Sequence, residues 1–132
     1  MDDELRRTGI RRLVEALNTR DMEPFDTIYH DDVVIEWPQS GEVIRGKHNI
    51  RELRLARPTA TPTAILRRII GSGDLWAAEM IFDYDGDRFY TVLIHEYRDG
   101  LVVRETCYYG APFDAPAWRS QWVELAPSTA AS

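Results

Sequence analysis

Two titratable side chains, His95 and Glu105, interrupt the apolar runs of Val, Ile, Leu and Tyr between Phe89 and Tyr109. The run reads as two strands joined by Asp99-Gly100, the strongest short-range signal for a hairpin. An imidazole and a carboxylate sharing an apolar face titrate as a coupled pair, and proton shuttling near neutrality needs an acid and a base of that kind. Burial raises a carboxylate pKa, and a protonated histidine nearby lowers it. Tyr97 and Tyr109 lie on the same strands and offer hydroxyl donors for a ligand carbonyl. The plain alternatives are a satisfied core histidine, an outward glutamate ion-paired across strands, and tyrosines that only pack.

The turn decides between these readings. A strict two-residue turn pairs position 95 with 104 and puts His95 and Glu105 on opposite faces. A three-residue loop with a bulge returns them to one face.

Other reactive residues carry less. Cys107 with His95 has the composition of a thiol nucleophile pair, but no oxyanion motif or activating helix terminus accompanies it. It reads as a small buried hydrophobe. His30-Asp31-Asp32 offers metal-ligand atoms, yet consecutive residues point in different directions and no distant third ligand is apparent, so it reads as polar punctuation. Gly71-Ser72-Gly73 sits between two strands and is a hairpin turn, not a phosphate loop. Arg51, Arg54, Arg57, Arg67 and Arg68 read as a solvated face.

The elements that must position these groups follow from periodicity. Asp2 or Asp3 caps a first helix with Leu5, Ile10, Leu13, Val14 and Leu17 on its apolar side, ending at Asn18-Thr19-Arg20. Asp21 caps a second helix with Pro24 in its first turn and Met22, Phe25, Ile28 and Tyr29 buried. A strand at Val33–Trp37 turns through Pro38, Ser40 and Gly41 into a short strand, Glu42–Arg45. Gly46 opens a third helix, with Ile50 and Leu53 inward, closed by Pro58 and Pro62. The period then changes to two, giving strands at Thr63–Ile70 and Leu75–Tyr84 before the hairpin of His95 and Glu105. On Leu75–Tyr84, the face of Trp76, Ala78, Met80, Phe82 and Tyr84 is continuously apolar and should meet the helices. Trp118 and Trp122, four apart, are expected to form one helical face docked on the domain or on a dimer partner, ahead of a frayed tail at Pro127–Ser132.

The chain has 132 residues, one domain's worth, with a core over about 5–110 and a C-terminal segment at 111–132. Its formal net charge of −6 argues against nucleic acid or an anionic membrane as partner. The single cysteine excludes an internal disulfide, and no apolar run approaches the ~20 residues that span a bilayer. With a charged amino terminus, the expectation is a soluble, cytoplasmic α+β domain. The reverse face of the sheet, with Ile81, Val92, Ile94, Val102 and Tyr108 inside a charged rim, predicts a homodimer.

The strings LVEALNTRDMEPFDTIYHDDVVIEWP, IRGKHNIREL and DGLVVRETCYY, in this order, resemble the nuclear transport factor 2 superfamily, in particular its SnoaL-like and ketosteroid-isomerase-like members. The resemblance spans Leu5 to about Tyr109. It implies an α+β cone in which a curved, antiparallel or mixed sheet wraps three N-terminal helices around a pocket. It also implies pairing through the outer sheet face. The general-base position of the isomerases falls on Trp37, between Glu36 and Pro38; their oxyanion tyrosine falls on Leu13 and their second oxyanion donor on His95. All three differ. The same alignment puts Leu53, Ala78, Met80, Phe82, Glu105 and Tyr109 toward the pocket. In epoxide-hydrolase-like relatives a strand carboxylate falls on Cys107, with Glu105 two residues away. The expected function is a small hydrophobic-molecule pocket, with Leu13, Trp37, Leu53, Ala78, Met80, Phe82, Tyr97, Cys107 and Tyr109 against the ligand. Isomerase, cyclase or hydratase chemistry would run through His95 and Glu105, with no metal or organic cofactor. The alternative is a non-catalytic ligand-binding or dimerising domain.

Overall fold

The computed structural model describes residues 3–19, 21, 23–56 and 62–127. Its elements in chain order are α1 (Asp3–Thr19), α2 (Glu23–Ile28), β1 (Tyr29–Trp37), β2 (Glu42–Arg45), α3 (Lys47–Leu55), β3 (Thr63–Ser72), β4 (Leu75–Tyr84), β5 (Asp87–Arg98) and β6 (Leu101–Gly110). The strands form one curved sheet in the order β2-β1-β6-β5-β4-β3, open at both edges. β1 runs parallel to β6 and every other neighbour is antiparallel, so the sheet is mixed. Three helices and this sheet make the expected α+β architecture. Asp2, Arg20, Met22, Arg57, Pro58 and the end of the tail (128–132) lie outside the described residues.

Local chemistry explains most of the boundaries. Asp21 Oδ1 accepts the Glu23 amide at 3.0 Å, satisfying one orphan donor of α2. Both Asp-Gly turns have left-handed backbone at each central residue (Asp85 and Gly86; Asp99 and Gly100), the mirror-image turn whose twist suits a hairpin. The core lies between the sheet and α1 to α3. Ile10, Leu13, Val14, Phe25, Ile28 and Ile50 meet Trp76, Ala78, Met80, Phe82 and Leu93 there. That is the β4 face which alternation assigned to the helices.

Several expectations need correction. Tyr29 opens β1 and is not a helical residue, and His30-Asp31-Asp32 is part of that strand. It falls where pairing with β6 shifts register, between Tyr29 and Val34, so polar residues are tolerated in a local irregularity. Leu5 is exposed on α1, outside the core. Val102, assigned to the outer face, is fully buried on the inner one. β3 continues through Gly71 and Ser72, leaving Gly73-Asp74 as its turn. Among the described residues, the tryptophans of the C-terminal segment form no α-helix: a 3-10 turn, Ala117–Arg119, follows Pro112 and Pro116. Trp118 is 76% and Trp122 73% exposed, so neither docks on its own domain.

Gly71 pairs with Trp76 across β3 and β4. A Cβ there would stand 2.5 Å from the Leu75 carbonyl oxygen and 2.7 Å from Trp76 Cα, contacts with backbone that cannot rotate away. Gly71→Ala is therefore expected to destabilise the fold by about 1–3 kcal/mol, the usual cost of overpacking. An unchanged melting temperature in a thermal scan would contradict this packing.

Candidate functional site

β5 and β6 bring His95 and Glu105 together through a device that neither turn option anticipated. The turn is the two-residue Asp99-Gly100, with Arg98 opposite Leu101 and Tyr97 opposite Val102. One extra residue, Val103, is then inserted, so Glu96 faces Arg104 and His95 faces Glu105. This bulge turns Glu105 inward, whereas Val102, on the turn side of the bulge, is already inward through its pairing with Tyr97. Without it, Glu105 would point to the outer face of the sheet.

Glu105 is buried, and its Oε1 accepts two hydrogen bonds of 2.7 Å, from Tyr29 OH and from His95 Nε2. Burial pushes the carboxyl pKa up, but the His95 hydrogen bond and charge, with Arg54 and Tyr29 behind them, outweigh it and hold Glu105 below the ordinary carboxylate value. An ionised carboxylate only accepts, so His95 Nε2 carries the proton of that bond. Burial, and then the Glu105 charge, push the Tyr29 hydroxyl up, keeping it a donor. Burial, with Glu105 next, moves the Cys107 thiol up to about 12. A thiol so hard to ionise does not act as a nucleophile near neutral pH.

Two connected spaces lie over this cluster. A vestibule of about 900 Å³ opens to solvent and an inner chamber of about 100 Å³ lies beneath it. Trp37, Leu53, Arg54, Tyr84 and Tyr109 line both and form the neck between them. Glu105 and Tyr29 belong to the wall of the inner chamber and not to that of the vestibule. Of the residues expected to face a ligand, Leu13 and Phe82 also line the inner chamber, and Trp37, Leu53 and Tyr109 stand at the neck. Ala78, Met80 and Cys107 pack in the core, outside both linings. His95 is behind Glu105, with the Tyr97 ring edge-on to it at 6.1 Å. Tyr97 faces away from the chambers, with the Arg6 guanidinium 4.1 Å from its ring centroid. Arg6 is itself buried and ties α1 to the β3–β4 turn through Asp74, at 3.1 Å.

Two residues of the cluster escaped the sequence reading. Tyr29 counted only as packing, although a buried tyrosine hydroxyl needs a partner. Arg54 counted as part of a solvated face. On α3 it is four residues from Ile50 and shares its side, so it reaches inward. Its guanidinium stacks 3.9 Å from the Phe25 ring centroid, and its buried Nε has no hydrogen-bond partner among the described residues. It lies near enough to Glu105 and Tyr29 to pull both pKa values down. No group of three His, Cys, Asp or Glu side chains placed to hold a metal occurs among the described residues.

The sequence profile of the SnoaL-like domain matches residues 10–105. No curated protein matches the chain. Among solved structures, an NTF-2-like protein of unknown function from Burkholderia xenovorans LB400 is 41% identical with a TM-score of 0.86, over 95% of this chain and 98% of that one. A protein of Kribbella flavida DSM 17836, provisionally described as a ketosteroid isomerase, is 27% identical with a TM-score of 0.85, over 96% and 93%. An epoxide hydrolase of the limonene-epoxide-hydrolase-like type from Mycobacterium tuberculosis shares the fold at 21% identity and a TM-score of 0.64, over 77% and 80%. With this profile match and this fold, the chain belongs to the SnoaL-like family of the NTF2-like fold.

Proposed function

We propose that the protein is a cofactor-independent acid–base enzyme, an isomerase, cyclase or hydratase, acting on a small apolar compound that bears a carbonyl. One observation carries this reading: a carboxylate held ionised and oriented by two 2.7 Å hydrogen bonds in the wall of an apolar chamber, with a guanidinium beside it. Glu105 takes a proton from the carbon next to the carbonyl. The C–H electron pair moves into the enolate, and Arg54 stabilises the charge that develops on oxygen. Glu105 then returns the proton to the same or a conjugated carbon. His95 and Tyr29 are positioning residues that keep the carboxylate aimed and ionised.

A second reading, a binding pocket without turnover, draws on the same low pKa, because a carboxylate stabilised this well is a weak base in the empty site. The two separate on rate. Glu105→Gln preserves both acceptor bonds and removes the base, so enolisation of a carbonyl ligand is expected to fall about 10²–10⁴-fold. Equal rates in the two proteins would leave the binding reading.

The pH dependence follows from the direction of the shift. A carboxylate whose folded pKa lies below its unfolded value of 4.5 contributes stability above that value and loses it as the pH falls through the folded pKa. Activity and melting temperature of the wild type should therefore be insensitive to this group through neutral pH; its share of the melting temperature begins to fall below about pH 4.5, and activity falls only at the lower pH where the folded carboxylate takes up a proton. Glu105→Gln should lack that part of the acid decline in melting temperature. Parallel acid limbs in both proteins would assign the decline to other groups.

We also propose a two-fold homodimer. Charges on the outer sheet face neutralise one another: Arg68 meets Glu79 at 3.1 Å, and Arg104 bonds Glu36 and Glu96. The apolar Ile94, Val92 and Tyr108 between them can then be covered without stranding a charge. The C-terminal segment adds uncovered Phe113, Trp118 and Trp122. Sedimentation should give twice the chain mass, and a monomer at micromolar concentration would refute the pairing.

A further inference from the structure

We infer that the substrate carries its reacting carbonyl on a short open-chain head attached to a bulky apolar body, and not inside a ring of a fused system. This rests on the assignment of Glu105 as the base.

Space decides the matter. Glu105 belongs to the wall of the inner chamber and is absent from that of the vestibule, so the carbon that loses a proton must enter the inner chamber. That chamber holds about 100 Å³. A protein cavity of about 150 Å³ accommodates one benzene ring. The space beside Glu105 is smaller than that, room for a head of a few heavy atoms. Its walls are stiff: Leu13 from α1, Ile35 from β1, Ile50 from α3 and Leu93 from β5 are all buried core residues, and close-packed cores yield little. The vestibule, at about 900 Å³, lies within the range of whole small-ligand sites and takes the remainder of the molecule. The neck explains how one molecule occupies both. Trp37, Tyr84 and Tyr109 offer flat apolar surfaces to the body, and Arg54, present in both walls, stands where the head meets it. A ring ketone fused to that body would bring its α-carbon no deeper than the neck.

The test uses two probes of matched apolar bulk. One is 1-(2-naphthyl)propan-2-one, with an open-chain carbonyl; the other is its ring-closed counterpart, with the carbonyl inside a third fused ring. Exchange of α-hydrogen for deuterium in D₂O is followed by NMR. In each turnover Glu105 removes a proton, exchanges it with solvent and returns a deuteron, so the ketone is recovered unchanged apart from its label. With each rate divided by the uncatalysed rate, the open-chain ketone is expected to exchange faster by about tenfold or more, the range over which one ill-fitting group discriminates. Ile44→Ala widens the inner chamber from β2 and should raise exchange of the ring ketone relative to the open one. Leu17→Ala does the same from α1 and guards against a loss of fold in the first variant.

Equal Glu105-dependent exchange of both ketones in the wild type would overturn the size argument and leave the base assignment standing. No exchange of either above background would overturn the base assignment, and this inference with it. Ring-ketone exchange that stays excluded in both folded widened variants would show that the chamber does not select, and would also refute the inference.

Discussion

A negative charge is kept inside an apolar sheet face, and much of the site is arranged around that constraint. An uncompensated carboxylate at the burial of Glu105 would take up a proton. Here it stays ionised because donors reach it from separate parts of the chain: His95 from β5, Tyr29 from the start of β1, and the charge of Arg54 from α3. None of these is local to Glu105. Tyr29 is positioned by the parallel pairing of β1 with β6, His95 by the bulge at Val103, and Arg54 by the docking of Ile50 on the core. The hydrogen bonds and the topology are therefore mutually dependent. Removing a partner leaves a buried donor or the carboxylate unsatisfied, at about 1–3 kcal/mol for each neutral group.

The same donors bear on the chemistry proposed for Glu105. A carboxylate held low in pKa gives up driving force as a base and gains a fixed orientation and a fixed charge state. For the proposed reaction such a trade suits a step whose difficulty lies in stabilising an enolate, because the Arg54 guanidinium stands beside the carboxylate in the same chamber wall. It suits poorly a reaction that needs a strong base.

Much of the fold could be read from the sequence because its signals are local. Asp85-Gly86 and Asp99-Gly100 supply turn chemistry that few other pairs do, and the alternation on β4 is unambiguous. Asp21 is a cap that needs only its own neighbours. The site was half legible for the complementary reason. His95 and Glu105 stood out as polar residues in apolar strands, but whether they met depended on a bulge at Val103, where neither glycine nor proline marks the extra residue. Tyr29 and Arg54 were misplaced by boundary and face. A tyrosine two residues before a pair of aspartates resembles the end of a helix, and an arginine among arginines resembles a solvated side until its spacing from Ile50 is weighed. The Trp118–Trp122 spacing suggested a helical face, but among the described residues after Pro116 the chain makes a 3-10 turn, Ala117–Arg119, and no α-helix.

The four tryptophans are divided among three environments, which gives the protein three distinct classes of optical reporter. Trp76 is sealed in the core, with its indole N–H donating to the Gly73 carbonyl at 2.9 Å. Trp37 stands at the neck, and Trp118 and Trp122 face water. Exposure opens the last two to collisional quenchers, burial protects Trp76, and Trp37 is placed to respond to whatever fills the neck. With iodide or acrylamide suppressing the exposed pair, the remaining fluorescence separates occupancy of the cavity from integrity of the fold without any added label.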